Sequence, residues 1–176
     1  MNGDGVVAVA RLVFDALYYI FPAYCANAAP VLFGGGRPLD GGRMFIDGKP
    51  ILGSHKTIRG LISGIIVGTL VGWAQESLAP RAGLARGSTL LGLLLTLGAL
   101  TGDLAGSFIK RRLNLKPGES FPVLDQLGFV LGAFLFSLTV EPPPLNYVVV
   151  VLVLTPLIHL LTNLIAYMLH LKRSPW

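Results

Sequence analysis

The chain contains five separate stretches in which nearly every residue is apolar, each about as long as a membrane-crossing helix. A helix needs about 20 apolar residues to cross roughly 30 Å of hydrocarbon. The apolar residues surround almost the whole circumference of each predicted helix, unlike the one-sided stripe of a surface helix. The sequence therefore predicts an all-α integral membrane protein with five transmembrane helices. The predicted spans are residues 6–24, 58–78, 88–109, 123–140 and 147–169.

The composition agrees with this class and excludes others. Hydrophobic residues make up 53% of the 176 positions and charged residues 13%, which is too apolar for an ordinary soluble domain. The net charge of +5 is not arranged as a basic stripe with interleaved aromatic residues, so no nucleic-acid partner is expected. We expect one multi-pass domain, residues 1–176, in the cell membrane and in contact with the lipid bilayer, whose first span is retained and not cleaved as a signal peptide. The sequence favours no particular oligomeric state.

Lysine and arginine are distributed unequally between the two sets of connections. The connections after spans one and three and the C-terminal tail carry most of the 14 basic residues, whereas the other connections carry only Arg81 and Arg86. Because basic residues near span ends stay in the cytoplasm, we predict an external N-terminus and a cytoplasmic C-terminus. The cytoplasmic side then has a long loop at 25–57 and a shorter one at 110–122. We expect the long loop to fold back on the bundle and to carry function.

Polar residues at the cytoplasmic end of the third span share one helix face. Asp103, Ser107 and Lys110 are spaced i, i+4 and i+7, which places a carboxylate, a hydroxyl and an ammonium side by side. Gly102 and Gly106 leave room beside them for a ligand or a neighbouring backbone. Because an acid within a membrane is costly, Asp103 is a functional candidate. The alternative is a satisfied helix-end charge followed by a basic topology signal.

A second carboxylate, Asp125, falls near the first turn of the fourth span, where Pro122 fits the helix start and Ser120 or Phe121 its cap. One interpretation of an acid at this position is that it only interacts favourably with the helix dipole. Spans three and four are consecutive and antiparallel, so Asp103 and Asp125 can instead converge near the cytoplasmic surface. Two carboxylates suit Mg²⁺, which takes its remaining ligands from water and phosphate.

The segment at residues 53–57, Gly-Ser-His-Lys-Thr, is typical of a glycine-containing turn that binds anions. It would deliver Lys56 and Thr57 to the start of the second span. It is not a P-loop, because two residues separate Gly53 from Lys56 and no strand precedes it, so the segment can equally be a plain cap and loop. Asn27, near the end of the first span, can cap that helix or contact a base or phosphate.

Two other polar groups inside spans are interpreted as structural. Arg11 and Asp15 are spaced i, i+4 in the first span and are expected to pair. His159 in the fifth span is expected to be hydrogen-bonded within the bundle. Because no Cys or further His accompanies His159 nearby in the sequence, a zinc site is not predicted there.

These segments together resemble the archaeal CDP-archaeol synthases, a family related to the CDP-diacylglycerol synthases. The matching residues are Asn27, residues 53–57 with Arg59-Gly60, residues 102–112 and residues 121–126. The resemblance implies transfer of the cytidylyl group from CTP to an isoprenoid ether-lipid phosphate, unsaturated archaetidic acid. The products are CDP-archaeol, used in membrane phospholipid biosynthesis, and pyrophosphate. The resemblance also implies Mg²⁺ as the cofactor.

The resemblance suggests a role for each candidate residue. Asp103 and Asp125 would hold Mg²⁺, and Lys110 would act with them in catalysis. The residues expected to bind CTP are Asn27, Lys56, Thr57, Ser107, Lys110 and Arg111. A lipid phosphate is already a nucleophile, so positioning and charge neutralisation are the whole task. The site would face the cytoplasm at the level of the lipid headgroups, with a groove between spans for the isoprenoid chains.

Four alternatives are less well supported by the sequence. The diacylglycerol branch usually has Pro-Gly-His-Gly-Gly and Asp-Arg where this chain has Lys116–Glu119 and Asp125-Gln126, which favours an ether lipid over phosphatidate. A CDP-alcohol phosphotransferase needs an Ala-Arg and spaced acids after Asp40-Gly41, and they are absent. A small transporter would place polar residues through the midplane. A non-catalytic scaffold would leave the clustered charges unexplained.

Overall fold

The computed structural model describes residues 3–84 and 87–171, and its described part contains five helices. They are α1 (Gly3–Phe33), α2 (Ile58–Ala82), α3 (Thr89–Arg112), α4 (Pro122–Ser137) and α5 (Leu145–Met168). Among the described residues, β-type pairing is limited to the isolated bridges Pro38–Thr57 and Met44–Pro50. The predicted all-α class with five helices is confirmed. Of the basic residues that predict orientation, Arg86, Lys172 and Arg173 lie outside the described residues, as do both ends of the predicted domain.

Four helices, α1, α2, α3 and α5, are long and apolar enough to cross a membrane. α4 has 16 residues and is shorter than the predicted span at 123–140. At 1.5 Å per residue it is about 24 Å long, less than the roughly 30 Å of a hydrocarbon core. Its start agrees with the prediction, since Phe121 is the N-cap and Pro122 occupies the first turn.

α1 continues past the predicted end of the first span at residue 24 and reaches Phe33. It passes through Pro22 and Pro30, which membrane helices tolerate. It ends where the Gly34 N–H donates to the Pro30 carbonyl at 2.9 Å, just before a glycine with a φ of 97° at position 35. Glycine adopts such a φ without a steric penalty. The first connection therefore begins at Gly34 and not at residue 25, and Asn27 lies on a helix.

α3 and α4 meet backbone to backbone through glycine. A Cβ atom at Gly98 would lie 2.3 Å from the Gly132 carbonyl oxygen, and one at Gly102 would lie 2.3 Å from the Gly128 carbonyl oxygen. Neither position can accept a side chain unless the helices move apart. Small residues permit such close approach of membrane helices. The space that Gly102 leaves is therefore filled by a neighbouring backbone.

The buried core lies where α1, α3 and α4 meet, with a contribution from α5. Its fully buried side chains include Ile20, Leu95, Val130 and Val151. The outward faces of the helices carry exposed apolar side chains, of which Leu135 on α4 is 63% exposed. This arrangement is the one expected for helices that are surrounded by lipid.

The connection between α1 and α2, residues 34–57, folds back on the bundle as predicted. The Leu39 N–H donates to the Lys56 carbonyl at 2.7 Å, and the Ile58 N–H donates to the Arg37 carbonyl at 3.1 Å. These bonds hold the two ends of the connection side by side. The loop is therefore an ordered unit that ends at the first residue of α2.

Arg112, the last residue of α3, holds this loop against the helix. Its Nε lies 2.9 Å from Asp47 Oδ2, and its Nη2 donates to the Pro50 carbonyl at 2.5 Å. Its guanidinium carbon lies 5.0 Å from the Phe45 ring centroid and 4.4 Å from that of Phe108. We call these five residues the Arg112 clasp. Because a guanidinium can stack and hydrogen-bond at once, the clasp fixes the loop relative to α3.

Candidate active site

A cavity of about 750 Å³ opens between the C-terminal parts of α1, α3 and α5, the start of α4 and the two connections on that side. Most of the predicted site residues line it, namely Asn27, Lys56, Asp103, Ser107, Lys110, Arg111 and Asp125. The predicted shared face of α3 is confirmed, since Asp103, Ser107 and Lys110 all open on this cavity. Residues from distant parts of the sequence are thus brought together.

Asp103 forms an ion pair with Lys56, and both residues line the cavity. The Lys56 Nζ donates to Asp103 Oδ2, although the two residues are 47 positions apart. The Lys56 side chain is 28% exposed and the Asp103 side chain 25% exposed. The loop that precedes α2 carries Lys56 to this position. A phosphate that binds Lys56 would therefore compete with Asp103 and free its carboxylate for another ligand.

Asp125 is paired with Lys110 in a second, similar arrangement. The Lys110 Nζ donates to Asp125 Oδ1 at 2.6 Å and to the Glu119 carbonyl at 3.2 Å. The Phe121 N–H, at the cap of α4, donates to Asp125 Oδ2 at 2.9 Å. Asp125 thus satisfies an N–H group at the start of α4, as the structural alternative predicts. It also faces the cavity, so the two roles are compatible.

Arg111 is the most deeply buried charged residue of the cavity lining. It is 3% exposed, and its Nε and Nη1 have no hydrogen-bond partner in the described part of the chain. Burying an unpaired charged donor costs several kcal/mol, as an order of magnitude. Ser107 is 4% exposed and Lys110 8% exposed on the same wall. Two cationic side chains and a hydroxyl therefore lie on one wall of the cavity.

Thr57 is not among the residues that line the cavity, and its role in binding phosphate stays a prediction. Its hydroxyl oxygen accepts hydrogen bonds from the N–H groups of Gly60 and Gly35, each at 3.1 Å. These contacts make Thr57 the N-cap of α2 and tie the end of α1 to it. Both bonds use only the acceptor oxygen of the hydroxyl, so Thr57 fixes the start of α2 next to Lys56.

The donor set of the cavity limits which cofactor it can hold. Asp103, Asp125 and Ser107 offer two carboxylates and a hydroxyl. Across residues 3–84 and 87–171, no three His, Cys, Asp or Glu side chains are grouped closely enough to form a complete metal site. A metal bound here must take most of its ligands from substrate or water. Mg²⁺ binds in this way, through one or two carboxylates plus phosphate oxygens.

Several lining residues had not been singled out from the sequence as site residues. On α5 they include Thr155, His159 and Asn163, and on α1 they include Tyr24. The predicted hydrogen bonding of His159 within the bundle is confirmed, since its Nδ1 lies 3.2 Å from Asn163 Nδ2. The sequence did contain a signal for the three α5 residues, since they are polar residues spaced i, i+4, i+8 in a very apolar helix.

The predicted Arg11–Asp15 pair is also confirmed, with 3.7 Å between Arg11 Nε and Asp15 Oδ2.

Comparison with known proteins assigns the chain to a family. The model of the CarS-like CDP-archaeol synthase family matches residues 9–176. The chain belongs to the CDP-archaeol synthase family. A CDP-archaeol synthase of Thermococcus gammatolerans is 51% identical over 93% of this chain and 96% of the relative. That of Methanocaldococcus jannaschii is 45% identical over 94% of this chain and 98% of the relative.

A solved structure has the same fold. It is described as an intramembrane enzyme for archaeal membrane lipids biosynthesis and is 38% identical to this chain. The TM-score is 0.72, and the match covers 86% of this chain and 94% of that one. Together with the apolar helices, this similarity makes the chain a multi-pass membrane member of the CDP-archaeol synthase family.

Proposed function

We propose that this protein transfers the cytidylyl group of CTP to an ether-lipid phosphate, unsaturated archaetidic acid, giving CDP-archaeol and pyrophosphate. The observation that carries the proposal is the position of Arg111: its guanidinium is 3% exposed, two of its nitrogens have no hydrogen-bond partner in the described part of the chain, and the same cavity holds two Lys–Asp pairs. A substrate rich in phosphate would satisfy these donors. Membership of the CDP-archaeol synthase family supports the identity of both substrates.

The reaction requires no nucleophilic side chain. An oxygen of the lipid phosphate attacks the α-phosphorus of CTP, and a new P–O bond forms as the bond to the bridging α–β oxygen breaks. The electron pair of that bond leaves with pyrophosphate. In-line transfer of this kind depends on positioning and on neutralising the charge of the phosphates. The cavity would supply both positioning and charge neutralisation. The reaction needs no covalent enzyme intermediate.

The cationic residues are assigned to the phosphates. Arg111 and Lys110 would bind the triphosphate and then the leaving pyrophosphate, and Lys56, from the loop before α2, would bind with them. Charge-assisted hydrogen bonds to phosphate are about twice as strong as neutral ones. Ser107 would donate to a phosphate oxygen, and Asn27, which lines the same cavity, would contact the nucleotide.

The two carboxylates are assigned to Mg²⁺. Asp103 and Asp125 fit this ion, because both open on one cavity whose remaining ligands must come from phosphate or water. When bound, Mg²⁺ supplies charge neutralisation at the phosphate oxygens. The lysines that now pair with the carboxylates would shift toward phosphate when CTP enters.

The cavity is assigned to the cytoplasmic side, with the N-terminus outside and the C-terminus inside. It lies at the end of α3 that carries Lys110, Arg111 and Arg112, and positively charged ends of spans favour the cytoplasm. CTP would enter from the cytosol, and the lipid phosphate would reach the same level from the headgroup layer. The two substrates would then meet without crossing the membrane.

The test is a reconstituted reaction with purified protein, α-labelled CTP, the ether-lipid phosphate and Mg²⁺, with phosphatidate in a parallel reaction. Formation of labelled CDP-lipid and pyrophosphate is expected. Asp103→Asn, Asp125→Asn and Arg111→Gln should each lower kcat/KM by about 10²–10³-fold, as loss of a preorganised electrostatic group does. Arg11→Gln and Asp15→Asn, whose ion pair lies outside the cavity lining, are the matched controls.

Three outcomes would contradict the proposal. Absence of CDP-lipid from folded wild-type protein would reject the activity. Full activity of Asp103→Asn or Asp125→Asn would remove that residue from metal binding. Turnover that persists after chelation and without added divalent ions would remove Mg²⁺ from the reaction.

A further inference from the structure

Each of the two carboxylates assigned to metal binding is already paired with a lysine. Lys56 pairs with Asp103 across 47 positions of the chain, and Lys110 pairs with Asp125 across 15. The four side chains are 11–28% exposed, so water screens both pairs only in part. A divalent cation that approaches either carboxylate therefore also meets the positive charge of an ammonium group.

The charged side chains that line the cavity balance one another. In the described part of the chain the lining has three cationic and three acidic side chains, namely Lys56, Lys110, Arg111, Asp103, Glu119 and Asp125. A divalent cation alone would give this lining an excess of positive charge, and a triphosphate alone would give it an excess of negative charge. The two together nearly compensate each other. Their binding is therefore expected to be coupled, so that each raises the affinity for the other.

The two acids are fixed in place, whereas the two lysines are able to move. Asp125 Oδ2 accepts the Phe121 N–H at 2.9 Å, and this bond does not involve Lys110. Asp103 follows Gly102 on α3, at the point where α3 touches the backbone of α4. The lysine ammonium groups, in contrast, end flexible four-carbon chains. Departure of a lysine therefore leaves each carboxylate where it is, with an oxygen available to another ligand.

Arg111 offers the triphosphate an anchor that depends on neither pair. Its Nε and Nη1 have no hydrogen-bond partner within residues 3–84 and 87–171. Lys110, the residue before it on α3, opens on the same cavity, and Lys56 also lines that cavity. A triphosphate bound to Arg111 can therefore compete with the carboxylates for both ammonium groups.

We infer, on the basis of the proposed function, that Lys56 and Lys110 block Asp103 and Asp125 against divalent cations until a triphosphate draws the two ammonium groups away. The lysines then neutralise phosphate, and the carboxylates become available as metal ligands at the same moment. The site is loaded with nucleotide and metal together, and it stays closed to metal ions that arrive without a nucleotide. The two ion pairs thus control metal binding.

The test uses the full chain in detergent without nucleotide and measures the binding of Mn²⁺, a paramagnetic substitute for Mg²⁺, by electron paramagnetic resonance. Lys56→Met keeps an unbranched side chain of similar length and removes the charge. Its Kd for Mn²⁺ should be about tenfold lower than that of wild type, because a hydrogen bond to a charged group contributes about that factor. Lys110→Met should show the same gain. Lys116→Met, which removes an exposed lysine outside the cavity lining, is the matched control and should bind Mn²⁺ as wild type does.

A double variant assigns the gained affinity to its site. Lys56→Met combined with Asp103→Asn should lose the gain, because the uncovered carboxylate is gone. A gain that persists in the double variant would place the ion elsewhere and overturn the inference, as would wild-type affinity in both folded lysine variants. If Lys56→Met does not fold, Lys110→Met with and without Asp125→Asn gives the same comparison. Absence of CDP-lipid formation by the wild-type protein would instead reject the proposed function, since the Mn²⁺ titration uses neither substrate.

Discussion

The α3–α4 pair and α5 are packed in opposite ways. α3 and α4 touch through their backbones, and a Cβ added at Gly98 or Gly102 would lie 2.3 Å from a carbonyl oxygen of the other helix. α5 buries only Val151 and Thr155, and it is held to α1 mainly near its middle and its N-terminal half. The charged residues of the candidate site lie on the tightly packed side. The apolar part of the cavity wall lies on the loosely packed side.

This difference relates packing to function. Asp103 and Asp125 can be held in a constant relative position only if α3 and α4 do not move, and backbone contact ensures this because interiors at close packing resist small displacements. A lipid with two chains needs an opening, and a helix end without buried side chains can provide one. The protein therefore combines a tightly packed side that carries the candidate site with a loosely packed side that carries the apolar part of the cavity wall.

Enlarging the α3–α4 contact should have the largest effect. Gly98→Ala places a methyl group 2.3 Å from the Gly132 carbonyl oxygen and 2.8 Å from the Ala133 Cα. The helices must separate, and overpacking of this kind costs about 1–3 kcal/mol or more. We expect a lower thermal unfolding temperature in detergent and a matching loss of CDP-lipid formation.

The control for this substitution lies on the same interface. A Cβ at Gly128 would meet its nearest neighbour, the Gly102 carbonyl oxygen, at 3.5 Å, which is ordinary contact. Gly128→Ala should therefore leave both stability and activity close to wild type. If Gly98→Ala and Gly128→Ala behaved alike, the backbone contact would not determine the rigidity of this side.

Breaking the Arg112 clasp should have the next largest effect. Arg112→Lys keeps the positive charge but loses the planar group that contacts Asp47, the Pro50 carbonyl and two aromatic rings. Hydrogen bonds to charged groups contribute about 1.5–3 kcal/mol. We expect faster proteolysis of the loop at 34–57 and a severalfold higher KM for CTP, because this loop carries Lys56.

Arg43→Lys, an exposed position on the same loop, is the control for the clasp. A double-mutant cycle with Asp47→Asn separates the ion pair from the stacking contribution. Wild-type proteolysis and an unchanged KM in Arg112→Lys would show that the loop keeps its position without the clasp.

Much of the fold followed from local sequence patterns, whereas the partners of the charged residues did not. Apolar length predicted five helices, and helical spacing placed Asp103 and Ser107 on one face because both features depend on neighbouring residues. The ion pair between Lys56 and Asp103 joins positions 47 residues apart, and no periodicity encodes such a pairing. The contacts of Thr57 could not be predicted for a related reason, since its hydroxyl oxygen accepts an N–H group from Gly35, whose position depends on how α1 ends.

The boundaries of the first helix show the same limit. The predicted first span ended at residue 24, with Asn27 as a possible cap, yet α1 continues to Phe33, and its small residues Ala26 and Ala29 are buried against the bundle. Tertiary burial outweighs local polarity at these positions. Thr155, His159 and Asn163 are evenly spaced in the sequence, but which face of α5 meets a cavity depends on the packing of all the helices.

Asp40 allows a smaller test in the loop at 34–57, which packs against α3. Its carboxylate accepts N–H groups from Leu52 at 2.8 Å and from Gly53 and Gly42, each at 2.9 Å. Burial raises the pKa of this carboxyl, but the three N–H donors outweigh burial and hold the pKa below its ordinary value. Because the folded-state pKa is lowered, the stabilisation is fully present above the ordinary Asp pKa of about 3.9 and is lost as the pH falls through the lower folded value.

Asp40→Asn imitates the protonated state at neutral pH. Amide hydrogen exchange at Leu52 and Gly53 should become faster. The expected factor corresponds to a decrease of about 1 kcal/mol in the free energy of local opening, the contribution of a typical hydrogen bond. Asp4→Asn, in the first turn of α1, should leave this exchange unchanged. Equal protection of the two amides in Asp40→Asn and wild type at pH 7 would show that the carboxylate does not hold the loop.

The smallest effect is expected where α5 leaves the bundle. Tyr24→Phe removes the hydroxyl that bonds to Thr155 at 2.7 Å but keeps the ring, which lies 5.8 Å from the Phe129 ring centroid. A hydrogen bond between membrane helices contributes about 0.6 kcal/mol on average, so the unfolding temperature should fall only slightly. The KM for the lipid should change more than the KM for CTP, because the loosened segment borders the lipid opening. If Tyr24→Phe instead destabilised the protein as strongly as Gly98→Ala, α5 would be as firmly packed as α4, and the contrast between the two sides would not hold.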